Sequence, residues 1–271
     1  MEKIVLIAGK GRLPGIWTKR AAQKGHRVVA CPIIEEQTSG LKDYAAEIKD
    51  INLGALGELI NFLQQKNVKK IIMLGKVEKS RLFNNFEPDL MMQKLMASLP
   101  EFSNEIILKK LMDFFENKGF EVLPQTTFME KLLPGRGILT TGEPSDSLKQ
   151  DMEYGFSLAQ KVGELDIGQT VLVKNRSVLA VEAVEGTDQT ILRAGEYGGS
   201  GAVMAKVTRP EQDLRFDLPV VGLETVKKLA EIKASGLILE AQKTFLLDQK
   251  EFIGRAEQAG ITVAAREIKE R

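Results

Sequence analysis

The sequence predicts an α/β protein built as two halves of domain size. Short apolar runs of strand length alternate with amphipathic helical stretches along the whole chain. The first run passes through a glycine turn into a helix and then a second apolar run, which is a βαβ unit and implies a parallel sheet. Glycine and proline crowd a stretch near the midpoint, which reads as a linker. At 271 residues there is room for a core in each half.

In order, Lys3 to Ala8 reads as a strand buried on both faces, apolar past its first residue. It enters Gly9-Lys10-Gly11-Arg12-Leu13-Pro14-Gly15 and a helix expected over Pro14–Lys24, closed by Gly25, followed by a strand over Arg27–Cys31. A helical pattern from Gly54 to Lys66 (Leu56, Leu59, Ile60, Leu63) leads to a strand at Lys70–Leu74 that ends in Gly75-Lys76-Val77. The methionine-rich helix over Asp89–Leu99, with Leu82, Phe83 and Phe86 before it, reads first as core and second as a surface for an acyl chain. Ser103 caps a helix over Asn104–Lys118, and Glu121–Leu123 is a strand.

Residues 133–145 form the linker, separating residues 1–132 from residues 146–271. The second half opens with a helix over Ser147–Val162 and a hairpin of Thr170–Lys174 and Val178–Val184 across Asn175-Arg176-Ser177. A short helix capped by Thr187 or Asp188 reaches Arg193. The run Ala202–Val207 is one strand, with Val203, Ala205 and Val207 on one face and Met204 and Lys206 on the other. Helices over Glu224–Ala234 and Gln249–Ala259 and strands over Leu237–Leu239 and Ile261–Ala264 complete the chain.

Composition removes several function classes. The net charge of +1, from 38 basic and 37 acidic residues, is not that of a polyanion binder, so nucleic acid is not an expected partner. No apolar window is long enough to cross a bilayer, and the N-terminus reads as a strand start, so the expected location is the cytoplasm. One cysteine, Cys31, and one histidine, His26, rule out an internal disulfide and leave almost nothing for a Cys/His zinc site or for Ser-His-Asp and Cys-His catalysis. Chemistry then falls to carboxylates, lysines, arginines and an oxygen-bound metal such as Mg²⁺.

The segment from Glu185 to Asp217 is where such groups concentrate. Pro210 and Pro219 bracket Asp213, Arg215 and Asp217; if extended, the piece sets these three on one face and Leu214, Phe216 and Leu218 on the other. Two carboxylates flanking a guanidinium suit a hard cation held against an anionic phosphate. Arg193, Lys206, Arg209 and the loop Gly198-Gly199-Ser200-Gly201 lie in the same segment. A salt-bridged, solvent-facing edge strand is the plainer alternative. At the N-terminal turn, Gly9 and Gly11 could admit a phosphate at a helix N-terminus. Pro14 replaces the third glycine of the dinucleotide fingerprint, and Cys31-Pro32 stands where its acid belongs, with Glu35 coming late, so a dinucleotide is disfavoured. Lys76, past the carboxyl end of a strand, is a candidate phosphate or sugar contact.

With these residues laid out, the chain resembles the UDP-2,3-diacylglucosamine pyrophosphatases of the LpxI type over essentially its full length. The resemblance rests on I-A-G-K-G-R-L-P, Gly75-Lys76-Val77, Glu185-Gly186-Thr187-Asp188, Arg193-Ala194-Gly195, and Lys206 followed by Arg209-Pro210-x-Gln212-Asp213-x-Arg215-Phe216-Asp217-x-Pro219-x-x-Gly222. Arg209 stands where the family usually carries lysine, and Glu211 where it carries glycine. The resemblance implies a Rossmann-like N-terminal domain with helices on both faces of its sheet, a distinct mixed α/β C-terminal domain, and a cleft between them. It implies Mg²⁺-dependent hydrolysis of a UDP-linked diacylated sugar to UMP and 2,3-diacylglucosamine 1-phosphate in lipid A synthesis, with water attacking the sugar-side phosphorus. Asp213 and Asp217 would hold metal and orient water, with Arg193, Lys206, Arg209 and Arg215 neutralising the phosphates. Thr187 and Asp188 would join them, and Gly9, Gly11, Arg12, Leu13, Pro14 and Lys76 would line the N-terminal wall. An NAD(P)-dependent oxidoreductase and a non-catalytic nucleotide or lipid-sugar binder are the rival readings. A homodimer and a shallow, transient contact with the inner membrane surface are compatible with the same residues.

Overall fold

The computed structural model describes residues 2–34, 40–77, 86–100, 104–209 and 213–268. Glu35, Leu82, Phe83, Ser103, Pro210, Glu211 and Gln212 lie outside the described residues. The chain divides into two compact units, one of Met1–Met129 with Asp213–Asp217 and one of Glu130–Gln212 with Leu218–Arg271.

The first unit carries strands β1 (Lys3–Ala8), β2 (Arg27–Pro32), β3 (Glu47–Ile48), β4 (Lys70–Leu74) and β5 (Glu121–Val122). They form one sheet in the order β3-β2-β1-β4-β5, and every pairing is parallel. This is the strand order of a Rossmann-like half, in which the chain works outward from β1 on one side and then returns to β1's other edge. Its helices are α1 (Leu13–Gln23), α2 (Leu56–Gln65), α3 (Leu90–Ala97) and α4 (Asn104–Asn117). Val5, Ile7, Val29, Cys31 and Ile71 pack with apolar residues of α2, α3 and α4. The alternate residues Ile4, Leu6, Val28, Ala30 and Ile72 are buried as well, so both faces of the sheet are covered. The methionines of α3 belong to this core: Met92 is buried in it and Met91 and Met96 pack against it.

The second unit has a six-stranded mixed sheet of β6 (Gly137–Ile138), β7 (Thr170–Lys174), β8 (Ser177–Val181), β9 (Val203–Lys206), β11 (Gly236–Glu240) and β13 (Thr262–Arg266). The order is β6-β13-β11-β9-β7-β8, with β9, β11 and β13 parallel and the outer strands antiparallel to their neighbours. A separate parallel pair joins β10 (Val220–Val221) to β12 (Phe245–Leu246). Helix α5 (Asp146–Glu164) packs on one face with Val171, Val173, Val203, Ala205 and Val207. Leu172, Met204, Leu237 and Leu239 form the other core with α6 (Thr187–Gly198), α7 (Leu223–Glu231) and α8 (Gln249–Gln258). The alternation expected for Ala202–Val207 is therefore realised, with both faces buried.

Several elements differ from the expectations: β8 covers Ser177–Val181 in place of the expected Val178–Val184, the N-cap of α6 is Gly186, β3, β10 and β12 are additional, and two further differences have a clear cause. Helix α6 continues past Arg193 because Thr190, Ile191 and Ala194 form a buried stripe at helical spacing, and it ends only where Gly199 takes φ +60°. Within the stretch expected as a linker, Gly137 and Ile138 pair with β13 and so become the edge strand of the sheet, an association set by a partner more than a hundred residues away.

Candidate functional site

In the first unit, the switch in strand order falls between β1 and β4, and open α/β sheets bind ligands outside the carboxyl ends of strands at such a point. The predicted Gly9–Pro14 turn and Lys76 both lie there. The two strand ends are tied by Gly9 N–H to Leu74 C=O at 2.8 Å and by reciprocal Lys10–Lys76 backbone bonds at 2.8 Å each. A Cβ on Gly9 would sit 2.8 Å from Lys76 O, so this glycine is required by the approach of its own neighbouring strand. Gly75, at φ +96°, is required for the same reason, since its Cβ would fall 2.6 Å from Gly9 C. Gly11 differs: it is exposed at φ +110°, and its Cβ would meet nothing within 4 Å. The Arg12 and Lys76 side chains are exposed, while Leu13 and Pro14 are buried in the first turn of α1.

Asp213–Asp217 packs with the first unit, and the reason is Phe216, which is 4% exposed in the core formed by β1, β2 and β4. The segment is not extended. Asp213 O accepts from Phe216 N at 3.1 Å, and Asp213 Oδ1 accepts from Arg215 N at 2.9 Å, closing a tight turn. The single charged face expected from a period of two is thus replaced by a loop held by its own first carboxylate. Arg215 Nε donates to both Asp213 oxygens at 2.9 Å each, and Nη2 donates to Oδ2 at 2.5 Å. On its other side Arg215 pairs with Glu116 of α4. The Arg215 hydrogen bonds hold the Asp213 carboxyl below the usual aspartate range against the opposing effect of burial, and Asp213 in turn raises the Arg215 pKa. Asp217 is exposed and adopts φ +58°, in the left-handed region.

In the second unit the predicted cations separate into two kinds. Arg193 pairs with Glu185 at 2.6 Å and donates to Val181 O at 2.7 Å, and Arg209 pairs with Asp166 at 2.8 Å; in each pair one side chain is well exposed. Exposed pairs of this kind contribute about 0–1 kcal/mol, so a phosphate can displace the carboxylate at small cost. Lys206 is different. It is 3% exposed, and its ammonium donates to Thr170 Oγ1 at 2.9 Å and Thr187 Oγ1 at 2.8 Å, with Glu182 Oε2 at 3.5 Å. Breaking a buried pair costs roughly 3–5 kcal/mol. Thr187, the first residue of α6, passes the bond on by donating to Glu182 Oε1 at 2.7 Å. Asp188 follows in the same first turn and is exposed.

Three buried carboxylates escaped the sequence reading: Asp151, which accepts from the Asn175 and Arg176 N–H groups at 2.8 and 2.7 Å, and two nearer the predicted cations, Glu182 and Glu240. Glu182 is 8% exposed; burial pushes its pKa up, but the Lys206 charge and hydrogen bonds from Thr170 and Thr187 outweigh that and leave it lowered. Glu240, at the end of β11, is 1% exposed and accepts from the Thr208 N–H at 2.8 Å and from the Thr208 hydroxyl, while Lys243 Nζ lies 3.2 Å from its other oxygen as an ion pair. It fixes the residue immediately before Arg209. Glu182 and Glu240 sit at the ends of apolar strand runs, and that position is the only local sign of their burial.

Among the described residues no three carboxylate, histidine or cysteine side chains gather as a preformed metal cage. Magnesium asks for less: one or two carboxylates, with waters and substrate phosphates completing its shell. Asp213 and Asp217, two positions either side of Arg215 in the sequence, are two carboxylates of that kind, and Arg215 fixes the orientation of the first. Among the described residues, no helix is long and apolar enough to cross a membrane.

Comparison with known proteins gives a concordant result. The LpxI N-terminal domain model matches residues 3–132, and the LpxI C-terminal domain model matches residues 135–264. A protein of Caulobacter vibrioides named UDP-2,3-diacylglucosamine pyrophosphatase LpxI is 28% identical over 282 residues, covering 100% of each chain.

Proposed function

Because this chain belongs to the LpxI family, we propose that it hydrolyses the pyrophosphate bond of UDP-2,3-diacylglucosamine, releasing UMP and 2,3-diacylglucosamine 1-phosphate for lipid A synthesis. The observation that carries this reading is the end-to-end similarity to a relative bearing that name. The Asp213–Arg215 turn supports it by supplying an oriented carboxylate of the kind phosphoryl chemistry uses.

In this reading water attacks the sugar-side phosphorus, and the bond from that phosphorus to the bridging oxygen breaks, so UMP departs with that oxygen. Asp213, held below the usual carboxylate range, is a poor proton acceptor at neutral pH and acts by orientation and charge. Arg193 and Arg209 release their surface carboxylates to meet the diphosphate. Arg215 keeps Asp213 in place. Magnesium, held by Asp213 and Asp217, would neutralise phosphate oxygens. The acylated substrate brings the chain to the cytoplasmic face of the inner membrane by transient contact.

The test is incubation of the purified protein with UDP-2,3-diacylglucosamine and Mg²⁺ in ¹⁸O-labelled water. Label in the sugar 1-phosphate and not in UMP is expected; no UMP release sinks the assignment, and label in UMP reverses the site of attack. Asp213→Ala should lose at least about a hundredfold in kcat while substrate binding persists.

A further inference from the structure

We propose that Glu182 is a positioning residue, forming with Lys206 and Thr187 a buried latch that sets the first turn of α6, and that Lys206 serves this latch and not the phosphates. The proposal rests on the reading above for its kinetic arm only.

Two hydrogen bonds and one ion pair hold the buried ammonium. Thr170 Oγ1, Thr187 Oγ1 and Glu182 Oε2 lie at 2.9, 2.8 and 3.5 Å from Nζ. The Thr187 hydroxyl accepts from Lys206 and donates to Glu182, so its direction is set by the charges on either side. Glu182 is itself locked: its N–H donates to Thr170 O at 2.9 Å, and any Cβ on Gly168 would lie 2.0 Å from its carbonyl oxygen. Helix α6 has Gly186 at its N-cap, with no side chain to cap the orphan N–H groups there. Thr187 therefore ties the helix start to Lys206 at the end of β9 and to Glu182 just past β8, and Lys206 carries the tie on to Thr170 of β7. Asp188, the next residue, takes its direction from that tie.

A phosphate ligand and a latch give different variant patterns. We would measure amide hydrogen exchange over Thr187–Ile191, and KM and kcat for UDP-2,3-diacylglucosamine, in Glu182→Gln, Lys206→Met and the double variant. A latch acts as one unit, so all three should share one phenotype. Exchange should quicken about tenfold in that turn. KM should rise about tenfold with the loss absent from kcat, and the double variant should be no worse than either single one. A kcat collapse confined to variants lacking Lys206 would overturn the proposal, as would wild-type exchange and KM in Glu182→Gln. Should the single charge removals fail to fold, Thr187→Val removes only the shared hydroxyl and should quicken the same amides, whereas Thr187→Ser should not; equal exchange in these two also overturns it. Absence of hydrolysis by the wild-type protein would remove the functional reading and leave the exchange test standing.

Discussion

Arg215 Nε donates to both carboxylate oxygens of Asp213 at 2.9 Å each, inside a turn that Phe216 anchors in the core of the first unit. Asp213–Asp217 thus departs from the unit that precedes and follows it in sequence. Its charge arrangement depends on one guanidinium, which is also held by Glu116.

The titration of Asp213 follows from that contact. Because its folded pKa is depressed, chiefly by the Arg215 hydrogen bonds, its contribution to stability is present above the ordinary aspartate value of about 3.9 and is lost as pH falls through the lower folded value. Arg215→Met should return the Asp213 pKa to or above the ordinary range, read by carboxyl ¹³C shifts. Identical titration in variant and wild type would show that the pair is not populated.

Gly9 and Gly11 look alike in sequence and should behave differently. Gly9→Ala places a methyl group 2.8 Å from a backbone oxygen in the β1–β4 junction and should destabilise by about 2–4 kcal/mol. Gly11→Ala meets no atom and bears only the positive φ, a cost of about 1 kcal/mol. Urea unfolding of the two variants distinguishes them; equal losses would contradict the geometric account.

Glu240→Ala leaves the Thr208 N–H and hydroxyl buried without their acceptor, and should cost about 2–4 kcal/mol. Glu240→Gln keeps one acceptor oxygen and should cost less. A loss below about 0.5 kcal/mol in the alanine variant would show that water replaces the carboxylate.

Cys31 is fully buried in the sheet, and burial, with Glu47 nearby, pushes its thiol up to about 12. The native protein should therefore resist a thiol-specific disulfide reagent at pH 8 and react stoichiometrically once denatured. Rapid labelling of the native protein would mean that β2 opens readily.

The chain's own pattern determined the elements wherever burial repeats with a short period. The strand at Lys70–Leu74 has the expected bounds, and Val203, Ala205 and Val207 separate from Met204 as a period of two requires. The helix over Leu56–Gln65 followed directly from its apolar spacing. Which acids are buried was decided by tertiary structure alone. Glu182 and Glu240 acquire their partners from strands and helices that close around them, and a place at the end of an apolar run is all that separates either from a surface glutamate in the sequence. The same holds for Asp213–Asp217, whose extended form a local period allowed: Phe216 in the core of the first unit, Leu214 O bonded to Gln125 N–H and Arg215 paired with Glu116 hold it as a turn. Periodicity is local and readable along the chain, whereas the partner that makes a buried charge tolerable comes from elsewhere in the fold.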